Sequence, residues 1–348
     1  MKYQKLEAAL GVLTHQDKLA YRKAQRVETI EALRSVRVVI CTCASAASTI
    51  IASLRFNSVI IDEAGQCTEM DALCPIVLGA QHVTLCGDDK QLGPVVGSPR
   101  AKEAGFEISM FSRLAKCRTP AVMLNVQHRM HPAISAFISS EFYAGAVTDA
   151  ASTAGLARVD VTFPWPCADK PIFFLHKKPL EGELKGGRGG KSTYNPLEAD
   201  AVADCVLSLI RQGAAASEIG VISMYDAQRA AILDRLASLA ETSVVVANVD
   251  AYQGQERPFI VLSLARSNVG GSIGHVGDAR RINVALSRAK RGLIIVGDAL
   301  TVCKHSHIWQ RCLSRLAADR LVVTGSTVAP WQVFESAVFG TGDTAAVL

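Results

Sequence analysis

A chain of 348 residues that is 49% hydrophobic and 20% charged has material for about two ordinary domains, each with its own core, which excludes a disordered or fibrous protein. Its formal net charge of +5 permits an anionic partner such as nucleic acid but does not require one. No apolar stretch reaches the length of a membrane span, Met1-Lys2-Tyr3-Gln4 opens no signal peptide, and the ten cysteines form neither a CxxC pair nor a Cys/His cluster at zinc spacing. The expectation is a soluble cytosolic or nuclear protein with reduced, buried thiols and no membrane partner.

In chain order, residues 5–35 are polar with Leu, Ala and Ile at helical spacing, and Lys18, Arg22, Lys23 and Arg26 form a basic stripe. One long helix or two abutting ones are predicted. Short Val/Ile/Leu runs follow at 38–41, 59–61, 83–86, 122–124, 172–175, 221–223, 244–247, 259–264 and 293–296, separated by helical or loop segments. Strands alternating with helices predict parallel α/β sheets. The Gly-rich stretch 180–193 reads as a surface loop, and a boundary near 116–120 divides the chain into two α/β parts.

The most informative run is Val59-Ile60-Ile61-Asp62-Glu63-Ala64-Gly65-Gln66, with Val83-Thr84-Leu85-Cys86-Gly87-Asp88 further on. Each is an apolar strand that delivers carboxylates at its C-terminal end, as a P-loop ATPase does to hold magnesium and its attacking water. Asp62 fits the metal role, and Glu63 can orient and deprotonate the water. Alone, the run is equally a buried strand emerging into an acidic loop.

Four further constellations follow. After Gly87-Asp88-Asp89-Lys90 comes Gln91, a neutral amide able to hydrogen-bond a γ-phosphate; its bland reading is a surface turn. In Gln127-His128-Arg129-Met130-His131-Pro132, Arg129 is fixed between a strand and a proline-initiated helix. In Asp250-Ala251-Tyr252-Gln253-Gly254-Gln255-Glu256, Gly254 allows a ligand close to the backbone and a carboxylate can meet a ribose hydroxyl. The stretch 278–291 reads as a basic amphipathic helix that buries Ile282, Ala285, Leu286 and Ala289, with Arg281 and Arg288, seven apart, pointing the same way. Separately, each of these is more often a solvated surface feature than a site.

Together, their order and spacing resemble the C-terminal two thirds of the superfamily 1 helicase core of the Upf1-like group. The likeness also includes Phe163-Pro164-Trp165-Pro166, Asp169-Lys170-Pro171 and Ile308-Trp309-Gln310. The resemblance implies a fold of two RecA-like P-loop NTPase domains with parallel sheets, ATP lying in the cleft between them. It divides the chain into a stalk helix (1–36), the C-terminal part of an incomplete first domain (37–117), a second domain (118–326) and a tail (327–348). It assigns Asp62 and Glu63 to Mg²⁺ and water, Gln91 to γ-phosphate sensing, and Arg129 and Arg288 to neutralising transition-state charge. Gln253, Gly254 and Glu256 would link nucleotide to nucleic acid and sugar; Thr42, Asp250 and Arg281 would meet the nucleic-acid strand. For Cys41 and Cys43, beside Thr42, a core strand is the simpler reading.

His128 stands where the family has an adenine-stacking Tyr, Asp89 where relatives often have His, Pro258 where they often have Asp, and Ser223-Met224-Tyr225 replaces Thr-Pro-Tyr. A GxxxxGK[ST] phosphate loop is missing. Lys185-Gly186-Gly187-Arg188-Gly189-Gly190-Lys191-Ser192 ends like one but starts with Lys and falls in the wrong domain. The expected function is therefore the N-terminally truncated part of an ATP- and Mg²⁺-dependent 5′-to-3′ helicase on single-stranded RNA or DNA, of the nonsense-mediated-decay type, with mRNA-decay factors as further partners. The alternatives are a non-catalytic nucleic-acid-binding scaffold and a nucleotide sensor that does not translocate.

Overall fold

The structure, a computed structural model, describes residues 14–157, 161–185, 191–241, 243–325 and 331–339. The chain clusters into two compact units, Met1–Asp89 with Gly93–Ala121, and Lys90–Leu92 with Val122–Leu348.

In the first unit, α1 (His15–Ser35) starts at Thr14, whose hydroxyl accepts from the Asp17 N–H while Asp17 reaches back to the Thr14 backbone. This capping box satisfies donors that the first turn leaves free. No residue of α1 is buried, and Arg26 ties it to the Thr49 carbonyl at 3.1 Å. After α2 (Cys43–Ala46) come β1 (Ser58–Ile61), α3 (Glu69–Ile76), β2 (His82–Leu85), α4 (Pro99–Glu103) and α5 (Met110–Lys116). The two strands pair in parallel, Ser58 opposite His82 through Ile61 opposite Leu85. Ile61, Ala64, Ala72 and Met110 make a small core under them. A parallel pair usually lies buried on both faces, yet Ile60 is 73% exposed.

The run at 38–41 forms no strand. It has no regular secondary structure, with Ile40 93% exposed, because among the described residues no neighbouring strand takes up its backbone hydrogen bonds. The same correction applies at 122–124, where Leu124 is 91% exposed. The strand there is β3 (Val126–Gln127), paired in parallel with β4 (Thr148–Asp149) and separated from it by α6 (Pro132–Phe142).

The second unit is built on a seven-stranded sheet formed by β5 (Ile172–His176), β8 (Ile219–Ser223), β9 (Val245–Asn248), β10 (Arg257–Ser263), β11 (Ala289–Gly297), β12 (Val322–Thr324) and β13 (Gln332–Val333). Their order is β13-β12-β5-β11-β10-β8-β9, parallel except for β13. Strands β5 and β8 are buried at every residue, and β10 and β11 over their last five and six. Near-continuous apolar runs are what a parallel strand covered on both faces requires. Helices α7 (Pro196–Arg211) and α8 (Asp226–Ser238) form one covering layer; α6, α9 (Ala279–Leu286) and α11 (His307–Ala318) form another, with α10 (Ala299–Lys304) leading into α11.

Two readings at the periphery change. The stretch 180–193 contains an antiparallel hairpin, β6 (Gly182–Lys185) with β7 (Lys191–Tyr194), in place of a plain loop. The Lys185–Ser192 run lies largely outside the described residues. Residues 331–339, read as tail, add β13 to the sheet; Trp331 Nε1 donates to the Pro164 carbonyl at 2.5 Å and Phe339 is buried. Of the cysteines, Cys205, Cys303 and Cys312 are buried, whereas Cys41, Cys86 and Cys117 are exposed.

One charged group is entombed in this unit. Glu198, in the first turn of α7, is fully buried; its Oε1 accepts from Ser263 Oγ at 2.6 Å and from the Ala265 N–H at 2.8 Å, while Oε2 has no partner. Gln228 completes the network by donating to Ser263 Oγ at 3.0 Å and accepting from the Asn195 N–H at 2.6 Å. Burial pushes the Glu198 carboxyl up to about 7, against the lowering pull of its hydrogen bonds. Between the unfolded value near 4.5 and about 7, the folded state holds the extra proton, so stability falls as pH rises through that window. The expected loss from this residue between pH 4.5 and 8 is on the order of 3 kcal/mol. Urea unfolding midpoints should show it, and Glu198→Gln, which keeps the acceptor and cannot ionise, should flatten that part of the profile.

Candidate functional site

In the first unit, both strands end in turns that lie against one another. The Ala64 N–H donates to the Cys86 carbonyl at 2.7 Å, and the Cys86 N–H to the Ile61 carbonyl at 2.9 Å. A Cβ on Gly65 would come within 2.9 Å of the Asp88 carbonyl oxygen, and one on Gly87 within 2.9 Å of the Gly65 nitrogen. Glycine is therefore required in both turns by close backbone approach. Beside this crossing Asp62 and Glu63 stand exposed. Glu63 has φ +50°, its N–H donates to Asp62 Oδ1 at 3.0 Å, and its Oε2 accepts from Gln66 Nε2 at 2.9 Å. A non-glycine residue in the left-handed region stores strain and re-aims its side chain. Thr42 caps α2, accepting from the Ser45 N–H at 3.2 Å.

In the second unit, residues from four sequence motifs meet at the N-terminal ends of β10 and β11. Glu256, just before β10, pairs with Arg129 Nε through one oxygen and with Lys290 Nζ at 2.6 Å through the other. Hydrogen bonds from Lys290, then Arg129, hold its carboxyl below the usual range. Arg129 also donates to the Ser287 carbonyl at 3.3 Å. Its backbone is clamped by Gln127, whose Oε1 accepts from the N–H groups of Arg129 at 2.9 Å and Met130 at 2.7 Å.

Arg288 is only 2% exposed. Its guanidinium donates to the Val284 carbonyl at 2.9 Å, Ser287 Oγ at 2.8 Å, Gln91 Oε1 at 3.4 Å and the Gln255 carbonyl at 3.5 Å. Asn283, also buried, binds the Lys90 carbonyl at 3.0 Å and Tyr143 at 2.9 Å, fixing the short Lys90–Leu92 segment to this unit. The expectation that Arg281 and Arg288 share a helix face is corrected here. Helix α9 ends at Leu286, Ala289 begins β11, and Arg288 lies in the turn between, where its guanidinium caps the helix end. Arg281 is instead in the first turn of α9, paired with Asp250 at 3.3 Å and with His275 Nδ1 at 2.9 Å.

Residues 249–256 join these two places. Tyr252 is buried over β8, where a Cβ on Gly220 would sit 2.1 Å from its hydroxyl, and that hydroxyl donates to the Val245 carbonyl at 3.3 Å. Gly254 is exposed with φ +74° and open space around its missing side chain, so conformation fixes its identity here. Gln253 Nε2 is buried without a partner, and a buried unpaired donor of this kind costs about 1–3 kcal/mol. His128 is exposed next to Arg129.

The structure thus brings Gln91, Arg129, Glu256 and Arg288 together in the second unit. It sets Asp250 with Arg281, and leaves Asp62, Glu63 and Thr42 in the first. Sequence reasoning missed Lys290 and Gln127. Lys290 was absorbed into the supposed basic helix, whereas it is the second residue of β11.

Parallel strands with acidic exits in one unit, and a parallel-dominated sheet edged by clustered arginines in the other, define an α/β protein of RecA-like fold class. Two family models, each described as an AAA domain, match residues 2–99 and 106–300. The "Regulator of nonsense transcripts 1 homolog" of Neurospora crassa is 38% identical over 92% of this chain and 30% of the relative. The homologue of the same name in Arabidopsis thaliana is 37% identical over 93% and 26%, and "ATP-dependent helicase upf1" of Schizosaccharomyces pombe 37% over 92% and 35%. The PRRSV helicase structure superposes with TM-score 0.34 at 17% identity, covering 69% of this chain and 34% of that one. The chain belongs to the AAA-domain family, in its Upf1-like helicase group. It spans about 30% of the length of the Neurospora relative.

Because Arg288 is buried on backbone and side-chain acceptors, Arg288→Ala should lower unfolding stability by about 1–3 kcal/mol. Arg129→Ala, at a side chain 36% exposed, should cost under about 1 kcal/mol. Urea titration of the two variants beside the parent checks the contrast.

Proposed function

We propose that this chain is the C-terminal motor portion of an ATP-dependent helicase acting on single-stranded RNA. The observation that carries the reading is the cluster at the heads of β10 and β11. Arg129 and Arg288, the one half-exposed and the other buried, are held beside Gln91, Glu256 and Lys290 by a network that leaves little rotamer freedom. Preorganised guanidinium groups are what a phosphoryl-transfer site uses to neutralise developing charge.

The donor set of the first unit suits magnesium. Asp62 and Glu63 are exposed hard-oxygen ligands at a strand exit. Among the described residues no group of three or more His, Cys, Asp and Glu could hold a metal by itself. Asp62 would therefore supply one carboxylate to a Mg²⁺ completed by phosphate oxygens and water. Bound there, Mg²⁺ would neutralise phosphate charge. Glu63 would take the proton of the attacking water, and Gln91 would hydrogen-bond the γ-phosphate. Glu256, salt-bridged on both oxygens, has less freedom to meet a ribose than sequence implies; it serves first to hold Arg129. The described residues contain no glycine-rich loop to cradle the β-phosphate, so that grip must come from outside them.

Thr42, Asp250 and Arg281 are the proposed nucleic-acid contacts, the last two through an ion pair that a phosphate can open. A 5′-to-3′ direction and partners among mRNA-decay factors are proposed on the family resemblance alone. An N-terminal addition bearing a GxxxxGK[ST] loop should confer ATP turnover stimulated by single-stranded RNA. Glu63→Gln should reduce it about 10²–10⁴-fold with RNA binding retained. RNA bound without turnover in either form would support the scaffold reading.

A further inference from the structure

The turn that presents Arg129 runs through residues 127–131, between β3 and α6, and is held at both ends. At the far end the His131 N–H donates to the Lys290 carbonyl at 2.8 Å, and the buried His131 ring accepts from the Ala133 N–H through Nδ1 at 3.1 Å. At the near end the Gln127 amide has all four of its hydrogen-bonding positions filled. Its Oε1 takes the N–H groups of Arg129 and Met130, and its Nε2 donates to the Met130 carbonyl at 2.8 Å and to Asp149 Oδ1 at 2.6 Å.

Three of those four bonds go to the turn's own backbone and move with it. The fourth reaches outside the turn. Asp149 stands opposite Gln127 in the β3–β4 pair, where the Ala150 N–H donates to the Gln127 carbonyl at 2.9 Å. Ser135, in the first turn of α6, donates through Oγ to the same Asp149 Oδ1 at 2.6 Å. One carboxylate oxygen thus joins strand β4, helix α6 and the amide that clamps the Arg129 turn.

We propose that Asp149 is a positioning residue for Arg129, acting through the Gln127 amide. An ionised carboxylate accepts hydrogen bonds and donates none, so it admits Nε2 and turns Oε1 towards the Arg129 and Met130 N–H groups. The reversed amide would set its NH₂ against those two donors and its oxygen against a carboxylate and a carbonyl. The charge on Asp149 makes its bond to Gln127 stronger than a neutral acceptor's. Burial holds the His131 ring below the usual imidazole range, against the pull of Asp149, which leaves the carboxylate to Gln127 and Ser135. Asp149 is itself exposed, and exposed substitutions seldom change global stability much. Its loss should therefore disturb the turn and leave the fold intact. The positioning stands on this geometry; its consequence for phosphoryl transfer rests on the function proposed above.

The experiment records ¹H–¹⁵N correlation spectra of this chain in the arginine Nε–H region, with the Arg129 signal assigned by its loss in Arg129→Lys. In the parent that proton is held by Glu256. Asp149→Ala should shift the signal and speed its exchange with water several-fold, with the unfolding midpoint unchanged; Asp149→Asn, which keeps an acceptor for Nε2, should restore it. Gln127→Met, acting on the same amide, should reproduce the Asp149→Ala result independently. An unchanged Arg129 signal in Asp149→Ala and Gln127→Met would overturn the proposal, as would a general loss of dispersion, which marks a structural role only. In the N-terminally extended form, Asp149→Ala should lower kcat for ATP about 10–100-fold with KM little changed, and Asp149→Asn should recover it. A displaced Arg129 signal with unaltered kcat would refute the consequence and leave the positioning established. Absence of turnover in the extended parent would count against the function proposed above, and the spectra alone would then decide the positioning.

Discussion

Every strand from β5 to β12 in the second unit's sheet runs the same way, so each connection between two of them must carry the chain from the C-terminal edge back to the N-terminal edge. Two of those returns carry the charged side chains of the candidate site. The loop after β9 runs from Asp250 to Glu256, and α9 carries Arg281 in its first turn and is followed by Arg288 in the turn before β11. One end of each return meets the other's in an ion pair, Asp250 with Arg281. At the opposite edge the Arg257 N–H donates to the Arg288 carbonyl at 3.1 Å. The Asp250–Arg281 pair is thus joined to the arginine cluster by two covalent routes.

Both returns are anchored to the sheet: Tyr252 packs over Gly220, and the α9 end is closed by the Arg288 guanidinium. Burying a guanidinium is unfavourable unless its donors are met. Here Val284, Ser287, Gln255 and Gln91 meet them, and the same bonds fix where the arginine points. Glu198 shows the opposite solution. With one oxygen unpartnered, it lowers the cost of burial by keeping its proton.

The buried strands of the second unit were legible because a parallel strand covered on both faces leaves a continuous apolar run, and Ile172–His176, Ile219–Ser223 and Arg257–Ser263 carry such runs with little interruption. The runs at 38–41 and 122–124 look the same in sequence yet are exposed coil, since a strand exists only where a neighbour accepts its hydrogen bonds, and that neighbour is not encoded locally. Arg288 was found by motif and misplaced by period. Ile282, Ala285, Leu286 and Ala289 fit a 3.6-residue spacing, but Ala289 is buried because it enters β11. Lys290 and Gln127 act through side chains at least twenty residues away or through backbone groups, and no spacing rule exposes such contacts.

The glycines separate two kinds of information that sequence presents identically. Gly65 and Gly87 are required because a Cβ on either would come within 2.9 Å of the other strand exit's backbone, whereas Gly254 faces open space and is required by its positive φ. The first pair would be demanded of any protein with these strand exits, active or not. Glu63, beside that crossing, is different: an Asn or Gly would occupy φ +50° with less strain, and the carboxylate stays exposed without an ion pair among the described residues. Within the turn the carboxylate makes a hydrogen bond, accepting from Gln66 Nε2 at 2.9 Å. Glu63 is thus held more lightly than Glu256, which is salt-bridged on both oxygens, as the role proposed for it above requires.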